Sequence, residues 1–248
     1  MAFTNSSLAT FTLLSPNNGG LRDHKIDTIT IHCVVGQLTA AGIAYCFQDN
    51  RQASCNYGVG KDGDISLVVE EKNRSWCSSN RDNDARAITI EVASDTYDPY
   101  RVTDAAFEAV IKLVADICAR NGIEKLVWST NKNERVNHLN GCNMTVHRDY
   151  ANKSCPGDYL YGRMGEIAQR VNEILNAQRA DENLEEENMV RYKHVEDMPK
   201  WAQPEIQELV DAGALRGDEN GNFNLTEDMI RMLIINKRYA ESVGCKAR

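Results

Sequence analysis

One 13-residue stretch, TVHRDYANKSCPG (145–157), gathers side chains that can hold a soft cation or move a proton. His147 and Cys155 stand eight apart, Lys153 lies two before the thiol, and Pro156-Gly157 follows it. A second imidazole, His32, comes near the end of DTITIHCVV (27–35). A catalytic zinc takes three protein ligands and leaves a fourth position for water, so two imidazoles and a thiolate from distant segments suit a catalytic centre better than a structural knuckle. The interval between His147 and Cys155 is not diagnostic by itself. The same residues also read as a core histidine, a surface histidine and a buried thiol.

Two charged residues extend the set. Glu91 lies in AITIEVA (87–93). It either faces solvent on a half-exposed strand or is a buried carboxylate tuned to act as a general base. Lys153 is either an ordinary exposed loop lysine or an ammonium placed to meet a developing oxyanion. His24, His138 and His194 lie in polar, loop-like surroundings and read as solvated.

The surrounding pattern must position these groups. Residues 27–35 alternate β-branched side chains and predict a buried strand, and 38–48 have helical spacing after Gly36. Residues 55–69 predict two short strands around a Lys-Asp-Gly turn, and 85–95 another apolar strand. Residues 103–122 give the clearest helix, with Thr103 as N-cap and Asn121-Gly122 as its close. A short strand over 143–147 ends at His147, and a long helix is predicted over 157–178. The class is α/β, a mixed central sheet flanked by helices, with the chemical residues at strand ends or in the loops beyond them. Five acids crowd between 181 and 187, either as a solvated helix extension or as a hinge. The boundary reading gives a domain at 1–177, an acidic linker at 178–192 and a small helical module at 193–248. Two amphipathic helices, 201–217 and 225–242, make up that module. About 55 residues with few apolar side chains need a partner surface or a second copy, so a homodimer through this module is one expectation.

Composition narrows the function. The 248 residues are 42% hydrophobic and 26% charged with a net charge of −8, ordinary for a soluble globular protein. An acidic surface without a basic run excludes nucleic acid as the natural partner, and no apolar run is long enough to anchor in a membrane. The N-terminus, MAFTNSSLATFTLLSPNN, has no Lys or Arg and no A-x-A site, which predicts synthesis in the cytoplasm without a secretory signal. Eight cysteines without a CxxC pair point to free thiols or metal ligands rather than to a disulfide framework or a zinc ribbon.

Five segments occur in order: ITIHCVVG, ASCNYGVGKDG, NRSWCSSN, RAITIEVA and VHRDYANKSCPG. Together they resemble the zinc-dependent N-acetylmuramoyl-L-alanine amidases of type 2, the family of phage endolysins and peptidoglycan recognition proteins. The resemblance covers roughly residues 20–177 and is nearest to endolysins and prophage amidases of Gram-positive gut bacteria. It implies bacterial peptidoglycan as substrate, zinc as cofactor and His32, His147 and Cys155 as its ligands. It also implies Lys153 as the stabiliser of the tetrahedral intermediate, Glu91 as the group handling the water proton, and Trp76 at the border of the substrate groove. Asn56 and Tyr57 of the hairpin are expected beside the substrate. Some members carry a catalytic tyrosine where this chain has Cys55. Tyr57 follows one residue along, after Asn56, and is expected to point to the opposite face of the strand, so the proton work falls on Glu91, and Cys55 reads as a packed small residue. The implied reaction cleaves the amide between N-acetylmuramic acid and L-alanine, at the cell wall after the enzyme's release at lysis.

Two rivals stand beside this reading. One is a peptidoglycan-binding module without activity, although such relatives typically lack the cysteine ligand. The other is a thiol hydrolase using Cys155 and His147, whose usual local signatures are absent. The tail HVEDMPKWAQPEIQELVDAGALRG (194–217) resembles the first half of an S-layer-homology module, and LTEDMIRMLI (225–234) only loosely echoes the second. Wall attachment through it is an expectation of the resemblance.

Overall fold

A computed structural model of the chain describes residues 3–49 and 51–244, except the side chains of 182, 183 and 185–188. It divides into two compact units, Met1–Gln178 and Arg179–Arg248.

The first unit is built on strands β1 (Phe11–Thr12), β2 (Thr28–Val35), β3 (Tyr57–Val59), β4 (Ile65–Leu67), β5 (Ala87–Ser94) and β6 (Met144–Val146). Their order in the sheet is β1-β4-β3-β5-β2-β6. Only the β3–β4 hairpin is antiparallel, so the sheet is mixed, as the sequence class predicts. Central β2 and β5 are buried on both faces for most of their length, which is why TITIHCVV and AITIEVAS alternate apolar residues with small or polar ones and carry few exposed charges.

Alternation splits these strands into two faces. One carries Ile29, Ile31, Ile88, Ile90, Val92, Tyr57 and Val59, packed with helix α3 (Asp104–Arg120) and the start of α6 (Met164–Asn188) in one apolar cluster. Thr103 caps α3 by accepting the Ala106 N–H at 3.1 Å. The other face carries Thr28, Thr30, His32, Ser66, Thr89 and Thr145, all buried, together with Glu91. Short helices α1 (Ala40–Cys46) and α2 (Arg81–Arg86) meet this second face. Gly58 pairs with Glu91 in register, and a Cβ there would come within 2.6 Å of Ile43 Cγ2, so only glycine lets α1 pack this closely.

Two further short helices, α4 (Lys132–Val136) and α5 (Gly157–Tyr161), flank β6 and the loop after it. The helix predicted over 157–178 is two helices. α5 stops at Gly162-Arg163, and α6 then continues through the acidic stretch to Asn188. The acids up to that point therefore extend a helix.

The second unit pairs a two-residue strand β7 (Arg191–Tyr192) with β8 (Leu225–Thr226) and packs helix α7 (Gln203–Asp211) on α8 (Glu227–Ser242). Its core is small: Met198, Ala202, Ile206, Ile230 and Ile234. Among the described residues no helix is long and apolar enough to cross a membrane.

Candidate metal centre

The centre forms where β6 ends, beside the middle of β2, which runs on past His32 to Val35. β2 delivers His32 fully buried. Next to it, across the parallel register, β5 delivers Glu91 on the same face. β6 ends at Val146, and the turn that follows presents His147.

That turn is braced from below by a buried ion pair. Arg135 of α4 donates from Nε and Nη2 to Asp149 at 2.9 and 2.5 Å, and Asp149 also accepts the Val146 N–H at 3.1 Å. The guanidinium stacks 4.5 Å from the Trp128 ring. A bidentate pair with both partners buried fixes geometry more than it adds stability. Beyond it, the loop folds back to place Cys155. Gly157 (φ +81°) closes the loop, where a Cβ would meet Tyr100 Cβ at 2.6 Å.

These elements converge. A ring nitrogen of His32, one of His147 and the Sγ of Cys155 all lie within 4.8 Å of one another. His32 Nδ1 is 3.5 Å from Cys155 Sγ, and the two imidazoles sit edge to face with centroids 5.0 Å apart. The His147 Nε2 is engaged by the Ser79 hydroxyl at 3.0 Å, which leaves Nδ1 as its free edge. Donors around one tetrahedral zinc stand about 3.3–3.6 Å apart, given bond lengths of about 2.0–2.3 Å, so the His32–Cys155 separation needs no rearrangement.

Electrostatics favours ligation. Burial, with His147 close by, holds His32 well below the ordinary histidine value, and burial and Lys153 lower His147 as well. Both rings are therefore neutral near pH 7, the form that binds metal. The Cys155 thiol is pushed up, first by its hydrogen bond with Cys33 and then by burial. A cation held at the centre would reverse that preference and favour the thiolate. Burial raises Glu91 to about 7. Lys153 is exposed at the rim, close enough to act on His147.

A family model described as N-acetylmuramoyl-L-alanine amidase matches residues 22–158, more than half of the chain and all of this centre. The chain belongs to that family. The amidase is accordingly a peptidoglycan hydrolase, and its sheet is the type-2 amidase fold. It is similar to the solved structure titled "Structure of PlyL", with 16% identity, 65% of this chain and 95% of that one covered, and a TM-score of 0.50. It is also similar to an AmpD derivative, with 17% identity, 68% and 99% covered, and a TM-score of 0.50. At these identities the likeness shows the fold. A second model, the S-layer homology domain, matches residues 191–224. No curated protein matches the chain.

The structure brings together His32, His147, Cys155 and Glu91, with Lys153 at the rim. Trp76 is half-buried, one residue before Cys77. Asn56 and Tyr57 require correction, because both are fully buried. Asn56 accepts from Arg22 and Thr89 and donates to the Val69 carbonyl at 3.1 Å. Tyr57 donates to Glu71 at 2.7 Å on the apolar side of the sheet. Its register partner is Ile90 rather than Glu91, so strand parity turns it away from the centre. Cys55 is fully buried against Ile43, Ala44 and Phe47. His138 is half-buried and bonded to the Cys142 carbonyl at 3.1 Å, not solvated.

Sequence reasoning missed Cys77 and Ser79. Asp84 accepts the Cys77 and Ser78 N–H groups at 3.0 Å and so fixes both neighbours. Both lie in NRSWCSSN, the segment already singled out for Trp76, but nothing in their spacing marks them.

Proposed function

We propose that His32, His147 and Cys155 hold a zinc ion and that Glu91 and Lys153 complete the machinery of this amidase. The observation that carries the reading is the convergence of two neutral imidazole nitrogens and one sulfur within 4.8 Å. A zinc ion held there would polarise the scissile carbonyl and acidify the attacking water. Glu91 is held at about 7 by burial. It is poised to take a proton from the attacking water and to return one to the departing L-alanine nitrogen. The ammonium of Lys153 offsets the negative charge that develops on the carbonyl oxygen of the muramyl amide. Trp76 borders the groove beside Cys77.

Metal analysis and chelation test this reading. The purified enzyme should carry one zinc, lose hydrolysis on chelation and regain it with zinc. Digestion of purified walls should release new L-alanine amino termini. Full activity after complete metal removal would overturn the reading and favour a thiol mechanism.

The same proposal divides the chain into a catalytic domain at 1–177, an acidic linker at 178–192 and a wall-holding module at 193–248, supported by the S-layer homology match. Action as a bacteriolytic enzyme of phage type, reaching the wall after release, is supported by the motif set over 20–177. Deleting 179–248 should reduce co-sedimentation with purified walls, and unchanged sedimentation would remove the targeting role. Met229, Met232, Ile235 and Tyr239 are exposed along α8 and support a second reading, self-association. A concentration-independent monomer in sedimentation velocity would rule that out.

A further inference from the structure

The buried face around the centre is hydrogen-bonded almost throughout. Thr30, Thr145 and Asn83 bond one another at 2.7–3.0 Å, and Thr89 is tied to Asn56 and Ser75. Two buried atoms on that face have no partner, His32 Nε2 and Glu91 Oε2. Leaving two such atoms unpaired is costly, which marks the place where something binds.

The same two residues belong to a second donor set. A ring nitrogen of His32, the Sγ of Cys77 and a carboxylate oxygen of Glu91 lie within 4.8 Å of one another. The Cys77 Sγ stands 3.7 Å from Glu91 Oε1. That is close to the separation of about 3.3–3.6 Å between sulfur and oxygen donors on one tetrahedral ion. The Nδ1 edge of His32 faces Cys155. The unpartnered Nε2 lies on the opposite edge of the ring.

We infer that Cys77, Glu91 and the Nε2 edge of His32 form a second cation site, back to back with the first and sharing the imidazole of His32. One thiolate, one imidazole nitrogen and one carboxylate suit thiophilic divalent ions of the zinc and cadmium type, and exclude magnesium and calcium. The shared ring rests on the reading of His32 as a ligand of the first site. Filling the second site displaces to solvent one proton from the Cys77 thiol, one from His32 Nε2 and whatever proton Glu91 holds at the working pH, so the ring bridges as an imidazolate and Glu91 binds as the carboxylate. The second ion also takes the Glu91 carboxylate away from proton transfer. Metal above one equivalent therefore inhibits the enzyme that the first equivalent activates.

The test uses the full chain carrying one zinc, titrated with cadmium. Bound metals are counted by elemental analysis, and the thiolate-to-cadmium charge-transfer absorbance is followed. The expected result is retention of the zinc, uptake of one cadmium with a charge-transfer band that saturates at that equivalent, and a fall in hydrolysis of at least about tenfold, as for loss of a general base. Cys77→Ser should keep its zinc, show no band and resist inhibition. Glu91→Gln should likewise keep zinc and take up cadmium at least about tenfold more weakly, since losing a ligand costs no less than losing an outer partner of one. Cadmium that enters only by expelling zinc, or that Cys77→Ser binds as well as the parent does, overturns the second site. A chain that holds no zinc before cadmium is added overturns the first site as well.

Discussion

The two faces of the central sheet are buried to the same degree and built from the same strands, yet they solve opposite problems. On the α3 side, Ile29, Ile31, Ile88, Ile90 and Val92 meet other apolar groups and need nothing but shape. On the other side, Thr30, His32, Thr89, Glu91 and Thr145 are buried polar groups, and each must find a partner. Most do, within the protein. The exceptions are the outward ends of His32 and Glu91. The apolar face thus stores stability, while the polar face forgoes stability at one point to keep donors free for a ligand.

The comparison breaks most sharply at the ligands. Cys155→Ser or His32→Ala should lose zinc and lower hydrolysis by about 10⁴-fold or more, the upper end of what a single proton-transfer group supplies. Melting temperature with chelator present should change little for Cys155→Ser, because the site then holds no metal in either protein. Elemental analysis and wall-digestion assays check this, and zinc retained at full occupancy in both variants would contradict it.

The opposite perturbation is Ile31→Ala, one residue before His32 but on the other face. It removes a fully buried side chain from the apolar cluster. It should cost about 2–5 kcal/mol of unfolding free energy by transfer and cavity terms. Zinc content of the folded fraction should stay at one. If denaturant unfolding shows no loss while zinc affinity collapses, the two faces are not separable as described.

How much of this division can be read from sequence depends on the element. Period-two alternation in TITIHCVV and AITIEVAS locates β2 and β5, and parity along them puts His32 and Glu91 on one face once the register is known. The α3 pattern and its Thr103 cap are equally local. Tyr57 is different. Its type and place in the hairpin suggest a substrate contact, and only pairing with Ile90 turns it inward. β1 joins the sheet with just two residues, Phe11 and Thr12, too few to leave a periodic signal. The Arg135–Asp149 pair that braces His147 links residues 14 apart through tertiary packing, which no local pattern encodes.

Smaller effects sharpen the comparison from the polar side. In metal-free protein, burial raises Glu91 from 4.5 to about 7. The folded state therefore holds this proton more tightly than the unfolded chain does. Stability present at low pH is lost as pH rises from about 4.5 to about 7 and levels off above, for at most about 3 kcal/mol. Glu91→Gln should flatten that limb in denaturant titrations of the apo protein. A limb that persists unchanged in the variant would assign it to another group.

Ser79 offers the finest test, because it touches the centre through a single hydrogen bond. Its hydroxyl lies 3.0 Å from His147 Nε2, and its backbone is left-handed at φ 62°. Ser79→Ala keeps the Cβ and so adds no backbone strain, and the residue is exposed, so packing hardly changes. What disappears is the group that fixes the tautomer and tilt of the imidazole. Zinc affinity should fall by about 10–100-fold, as when an outer partner of a ligating histidine is removed. Thermal stability of the metal-free protein should not move. Competition with a chromophoric chelator measures the first, and calorimetry of the apo protein the second. An affinity equal to the parent's would mean that the β6 turn and its Arg135–Asp149 brace orient His147 without help, so that the polar face is pre-formed by the fold alone.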